Sequence, residues 1–293
     1  MRPTTRIGWL VVLAVIGTAP LSARAAVPTV DNLALAMLDS EALYTLTDGL
    51  KPVSEGFWRT RFAEEQPNSP EVETVRARLQ SLPLGPNLEA GVFVFARASG
   101  GKRSASAFVA HKPSLRALIE RRRDVFEPLG VTPQTAPQKV MEAIDRAAQG
   151  ARWRAFGLVF GYPEYAVEFF VTAGEQQLKT GKFVQRDFVN LPTFVSDRGR
   201  FVYAVPKGHV ERDEDRYLKA ATTQIFTRYR AWRQVYLEEQ NLDAVTLLSS
   251  WLAPAVFYAP SRVPTYLPSC HGTGAGLIRM NSTYLHRGRC GRW

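Results

Sequence analysis

The chain has 293 residues, 45% of them hydrophobic and 22% charged. That balance is ordinary for a globular protein and excludes a disordered chain, a collagen and a coiled-coil rod. The formal net charge of +10 rests on 29 Arg and only 8 Lys spread along the whole chain, which reads as general composition rather than as a nucleic-acid patch.

Arg2 and Arg6 precede the apolar run Ile7 to Ala19, which is shorter than the roughly 20 residues a membrane-spanning helix needs. Pro20 breaks the run, and Ala23-Arg24-Ala25 supplies a small-x-small cleavage pattern. Residues 1–25 are therefore predicted to be a secretory signal peptide, cut after Ala25 or Ala26. Three of the excess positive charges, Arg2, Arg6 and Arg24, leave with it. No later stretch reads as a span, so the mature chain is expected in the periplasm or secreted, with no transmembrane segment.

Val30 to Thr47 reads as one broken or two short helices, stopped by Gly49 and Pro52. Gly56 to Phe62 has a strand-like pattern. Ser69-Pro70 opens a helix with Val72, Val75 and Leu79 on one face. Gly91 to Ala98 and Ser104 to His111 form two strands joined across Ser99-Gly100-Gly101-Lys102. Pro113 opens a helix that buries Leu115, Leu118, Ile119 and Phe126 and ends at Gly130 to Pro133. A further helix starts at Pro137, buries Val140, Met141 and Ile144, and is expected to stop at Gly150.

Arg154 to Phe160 is predicted as a third strand, turned by Gly161-Tyr162-Pro163 into a helix from Glu164 to Ala173. Gly199 to Pro206 is predicted as a fourth strand. Asp213 or Asp215 caps the longest helix, whose stripe Leu218, Ala221, Ile225, Tyr229, Trp232, Tyr236 advances by threes and fours. A short helix follows near Leu242 to Leu252. The order predicts an α+β fold, one domain over 26–253 with a small, mainly antiparallel sheet packed by several helices, and an irregular tail over 254–293.

The run Gly157 to Val171 (GLVFGYPEYAVEFFV) resembles a strand–Gly-Tyr-Pro–helix motif of small uncharacterised bacterial proteins. The later Gly-Lys-Phe and Phe-Val-Tyr segments follow as a similar pattern does there. The resemblance implies a strand–turn–helix unit and no particular chemistry.

Cys270 and Cys290 are the only cysteines, and in an exported chain they are expected to form a disulfide across the tail. The alternative, a zinc site of Cys270, His271, His286 and Cys290, has a poor chelating pair in the adjacent Cys270-His271. No metal and no cofactor are expected. His111 and His209 sit at strand exits, where binding residues are often placed, and would approach each other if their strands were neighbours. Glu164 and Glu168 share a helix face. Tyr162 precedes Pro163 at the start of that helix, where backbone N–H groups favour anions.

No Walker A, His-Glu-x-x-His, Gly-x-Ser-x-Gly, dinucleotide-binding, Cys-x-x-Cys or EF-hand frame occurs in the sequence. The expected function is therefore non-catalytic binding of a small molecule or an envelope partner, not nucleic acid, through His111, Tyr162, Glu164, Glu168 and His209. The alternative is a hydrolase-like enzyme using His111 or His209 with Glu164 or Glu168.

Overall fold

Six consecutive residues, Ala105-Ser106-Ala107-Phe108-Val109-Ala110, are buried in the middle of one strand. A strand covered on both faces loses the polar alternation of a half-exposed one, and small side chains let helices approach it closely. The computed structural model describes residues 26–253, apart from 48, 67 and 68, with the side chains of 196–200 also excluded. The expected signal peptide and the Cys270–Cys290 bridge lie outside the described residues.

In chain order, α1 (Val30–Leu38) and α2 (Leu43–Leu46) lead to β1 (Val53–Ala63) and α3 (Pro70–Gln80). The hairpin strands β2 (Leu88–Val94) and β3 (Lys102–His111) follow. Next come α4 (Lys112–Arg121), α5 (Arg123–Phe126), α6 (Pro137–Arg146), α7 (Gln149–Val159) and α8 (Glu164–Thr180). Strands β4 (Arg186–Thr193) and β5 (Ser196–Pro206) precede α9 (Asp213–Arg233), which continues as a π-helical segment, Gln234–Glu239, before α10 (Ala244–Leu252).

The main sheet has the antiparallel order β1-β3-β2. On one face, Val92, Ala107 and Val109 pack with Met37 of α1, Leu79 of α3 and Leu247 of α10. On the other, Phe93, Phe108 and Ala110 pack with Leu118 of α4, Met141 of α6 and Val159 of α7. A separate two-stranded sheet, β4-β5, closes a third apolar cluster with Tyr44, Ala166 and Leu218. The fold is α+β, as the pattern of elements predicts.

Three local expectations are corrected. Arg154 to Phe160 is not a strand but most of α7, which already begins at Gln149. Its buried residues Ala155, Leu158 and Val159 have helical spacing, but the short apolar run looked like a buried strand. Gly150 therefore lies within a helix instead of stopping one. Likewise α8 passes through Gly174 and ends at Gly181. Both Gly157 and Gly174 are contact glycines: an added Cβ would lie 2.7 Å from Val167 Cγ2 and 2.5 Å from Trp153 Cζ3, respectively. Close packing of α7 on α8 requires their lack of a side chain. The Gly-Tyr-Pro turn is thus flanked by helices on both sides.

The structure also contains β4, which no sequence pattern announces. Its Asn190 and Pro192 weaken a strand signal, and only its pairing with β5 defines it.

The long helix does carry the anticipated stripe, with Leu218, Tyr229 and Tyr236 buried and Ala221, Ile225 and Trp232 partly so. Trp232 stacks on Tyr236 at 5.5 Å and meets Trp251 edge-on at 5.7 Å. Trp232→Ala is expected to lower unfolding free energy by about 3 kcal/mol, the lower end for a large aromatic because the ring is only partly buried. Urea denaturation checks this, and an unchanged midpoint would show that the aromatic stack contributes nothing.

Candidate functional site

Helices α7 and α8 and the β4–β5 hairpin enclose an aromatic cleft of about 310 Å³. From α7 it receives Trp153, Phe156 and Phe160, which share a face through their spacing of three and four. From the turn and α8 come Tyr162, Ala166 and Phe170, again four apart. The hairpin supplies Phe188, Val202 and Ala204, and Phe188 and Ala204 are direct cross-strand partners. The rings brace one another. Trp153 meets Phe170 edge-on at 5.7 Å, and Phe156 stacks on Phe160 at 5.4 Å. Phe170 is 38% exposed and Phe188 58%, so the mouth of the cleft is apolar and open to solvent.

A buried polar hub holds the hairpin in place. Asp215, fully buried in the first turn of α9, accepts hydrogen bonds from the hydroxyls of Tyr203 and Tyr165 at Oδ1. Its Oδ2 accepts from the Arg212 backbone N–H at 2.8 Å and lies 2.8 Å from His209 Nε2. Desolvation pushes this carboxyl upward, but the hydrogen bonds from Tyr165, Tyr203, Arg212 and His209 outweigh it and hold it at about 2. Tyr203 also lines the cleft, so the hub fixes part of its wall.

Behind Tyr162 lies Lys51, whose side chain is completely buried. Its Nζ is 2.6 Å from Glu41 Oε2 and 4.0 Å from the centre of the Phe201 ring. Burial pushes this amine below its ordinary value, against the opposing pull of Glu41 and Glu55. Tyr162 stacks between these groups and the cleft, 5.8 Å from Phe201. Burial and the Glu41 and Glu55 charges raise its own hydroxyl pKa.

A second, more polar cleft of about 310 Å³ shares Tyr162 with the first. Ser114, Arg121 and Glu164 line it. His111 caps α4 there: its Nδ1 accepts from the Ser114 backbone N–H at 3.3 Å and lies 2.8 Å from Ser114 Oγ.

The residues anticipated from the sequence are thus divided. Tyr162 lines both clefts, Glu164 lines the polar one, and His111 borders it through Ser114. Glu164 pairs with Arg122 at 2.9 Å. Glu168 accepts from Nε and Nη2 of Arg154 at 2.7 and 2.8 Å, and that pairing lowers its pKa despite partial desolvation. His209 belongs to the Asp215 hub. The strands preceding the two histidines, β3 and β5, are in different sheets and are not neighbours. Arg228 and Arg233, which sit in the most basic stretch of α9, engage Trp251 and Asp39, respectively.

Sequence reasoning missed Trp153, Phe156, Phe170 and Phe188 as a group. The spacing of Trp153, Phe156 and Phe160 is a usable signal, masked by the strand-like apolar run from Arg154 to Phe160. Among the described residues no group of three His, Cys, Asp or Glu is arranged to hold a metal, and no helix is long and apolar enough to cross a membrane. Comparison with protein-family models, curated proteins and solved structures finds no match.

Proposed function

We propose that the protein is an exported, non-catalytic binding protein whose aromatic cleft takes a small ligand with an apolar body. The observation that carries this reading is the cleft itself: an open space of about 310 Å³, within the size range of ligand pockets, walled by braced aromatic rings. Phe170 and Phe188 expose apolar surface at its mouth, and covering such surface is favourable at about 25 cal/mol per Å². The hub at Asp215 and the close α7–α8 packing support a preformed site, which lowers the ordering cost of binding.

Calorimetric titration with decanol, below its solubility limit, tests the reading. Saturable binding with a negative heat-capacity change is expected. Val202→Trp, which fills the cleft from the hairpin wall, should weaken binding by about ten-fold or more. Binding that never saturates, or that ignores this substitution in a folded variant, rejects the cleft as the site.

A further inference from the structure

We infer that the ligand of the aromatic cleft is an amphipathic carboxylate, with its apolar body between the rings and its acid group on Arg186. This rests on the proposed function and adds the chemical class of the ligand. Arg186 and Phe188 are two apart on β4 and so project from the same strand face. Phe188 lines the cleft, which places Arg186 at its edge.

The guanidinium confirms that position through its contacts. Its carbon is 5.8 Å from the centre of the Phe170 ring, which forms part of the α8 wall. It is 4.5 Å from the Phe183 ring, itself 54% exposed. A guanidinium resting on a ring face keeps its in-plane N–H groups directed outward, in the fork that matches a carboxylate. The Nε of Arg186 donates to the Val184 carbonyl at 3.2 Å.

Charge complementarity selects the sign of the ligand. Other arginines beside the cleft already face acids: Arg154 is paired with Glu168, and Arg152 lies 2.6 Å from Asp145. Asp187, next to Arg186 in the chain, projects to the opposite strand face and is held by Lys207 at 2.7 Å and the Gly208 N–H at 2.8 Å. Among the described residues, no carboxylate forms an ion pair with Arg186. It is a half-buried cation, partly desolvated, set against the exposed rings of Phe170 and Phe183. A carboxylate with an apolar tail would satisfy both features together.

Tail-matched probes at neutral pH, below their micellar ranges, test this. Decanoate is expected to bind the mature chain about ten-fold more tightly than decanol, and decyltrimethylammonium more weakly than either. Arg186→Gln should bring decanoate to the level of decanol and leave decanol unchanged. Equal binding of decanoate and decanol by the parent protein, a comparison that needs no variant, overturns the inference but leaves the cleft reading intact. A decanoate preference that survives in folded Arg186→Gln does the same. If neither decanoate nor decanol binds, the inference falls with the cleft reading. Flotation with phosphatidylglycerol vesicles separates a monomeric ligand from a bilayer surface. The protein should stay unbound, and flotation that depends on Arg186 would overturn the proposal in favour of a membrane face.

Discussion

Asp215→Ala is expected to cost about 3–5 kcal/mol of folding stability, measured as a fall in the urea midpoint. The carboxylate is fully buried and takes hydrogen bonds from two tyrosine hydroxyls, a histidine and a backbone N–H. Removing it leaves the buried Tyr203 hydroxyl and the part-buried Tyr165 and His209 without their acceptor, and an unpaired buried donor loses its solvation. It also removes the acceptor of the Arg212 backbone N–H at the start of α9. The Arg212 guanidinium, 4.1 Å from the Tyr165 ring centre, would lose the ring's anchor through Asp215 as well.

The same group sets a pH dependence. Its folded value, about 2, lies below the ordinary carboxylate value of 3.8. Its stabilising contribution is therefore complete above the unfolded value and is lost as pH falls from about 3.8 through about 2. Parent protein should show a falling midpoint across that interval, and Asp215→Asn a smaller fall. Identical acid profiles for the two proteins would remove Asp215 from the account. A loss of stability should also loosen the cleft wall at Tyr203, so probe binding should weaken together with the midpoint.

Glu41→Ala is expected to have an effect of similar size, about 3–5 kcal/mol, for a different reason. It would leave the Lys51 ammonium, with 0% side-chain exposure, without its 2.6 Å carboxylate. The Phe201 face, 4.0 Å away, offers only partial compensation. Glu55, the other acid that acts on Lys51, is already engaged by Arg59 and Ser106. The double variant Lys51→Met/Glu41→Leu should recover to within about 1 kcal/mol of the parent, because apolar residues avoid the desolvation of both charges.

The pH slope has the same sign as for Asp215 but lies at the alkaline end. Burial lowers the Lys51 value below 10.5, so the folded chain sheds this proton more readily than the unfolded chain. The penalty in Glu41→Ala should therefore shrink as pH rises toward 10.5. An alanine variant as stable as the parent at neutral pH would show that the pair contributes nothing. Failure of the double variant to recover would locate the loss in packing instead of charge.

Much of the architecture was legible in the residues themselves. The α1–α2 break, the opening of α3 at Pro70, the β2–β3 hairpin and the stripe of α9 follow from turn residues and from periods of two or of three and four. Each signal resides within about a dozen residues, the length over which a helix or strand is decided. The same locality explains the misreading of α7. Seven residues beginning at Arg154 look like a buried strand, and the helix emerges only with its first turn, Gln149 to Trp153, and with Val167 packed against Gly157.

The candidate site was less legible. A Gly-Tyr-Pro turn singles out Tyr162, and the spacing of four between Glu164 and Glu168 places them on one face of α8. The aromatic cleft, the Arg186 cation and the buried hub join residues far apart in sequence: Tyr165 meets Asp215 across 50 positions, and Arg233 meets Asp39 across 194. Spacing cannot encode such contacts, since loop closure places no fixed constraint on which distant side chains meet. The α+β class, most of the helices and the central hairpin are legible in local residue patterns, because backbone preference and amphipathic period act over short stretches. That α7 is a helix, that β4 pairs with β5, and that Asp215 and Lys51 are buried emerges from long-range packing. Burial and charge pairing depend on what the rest of the chain brings alongside.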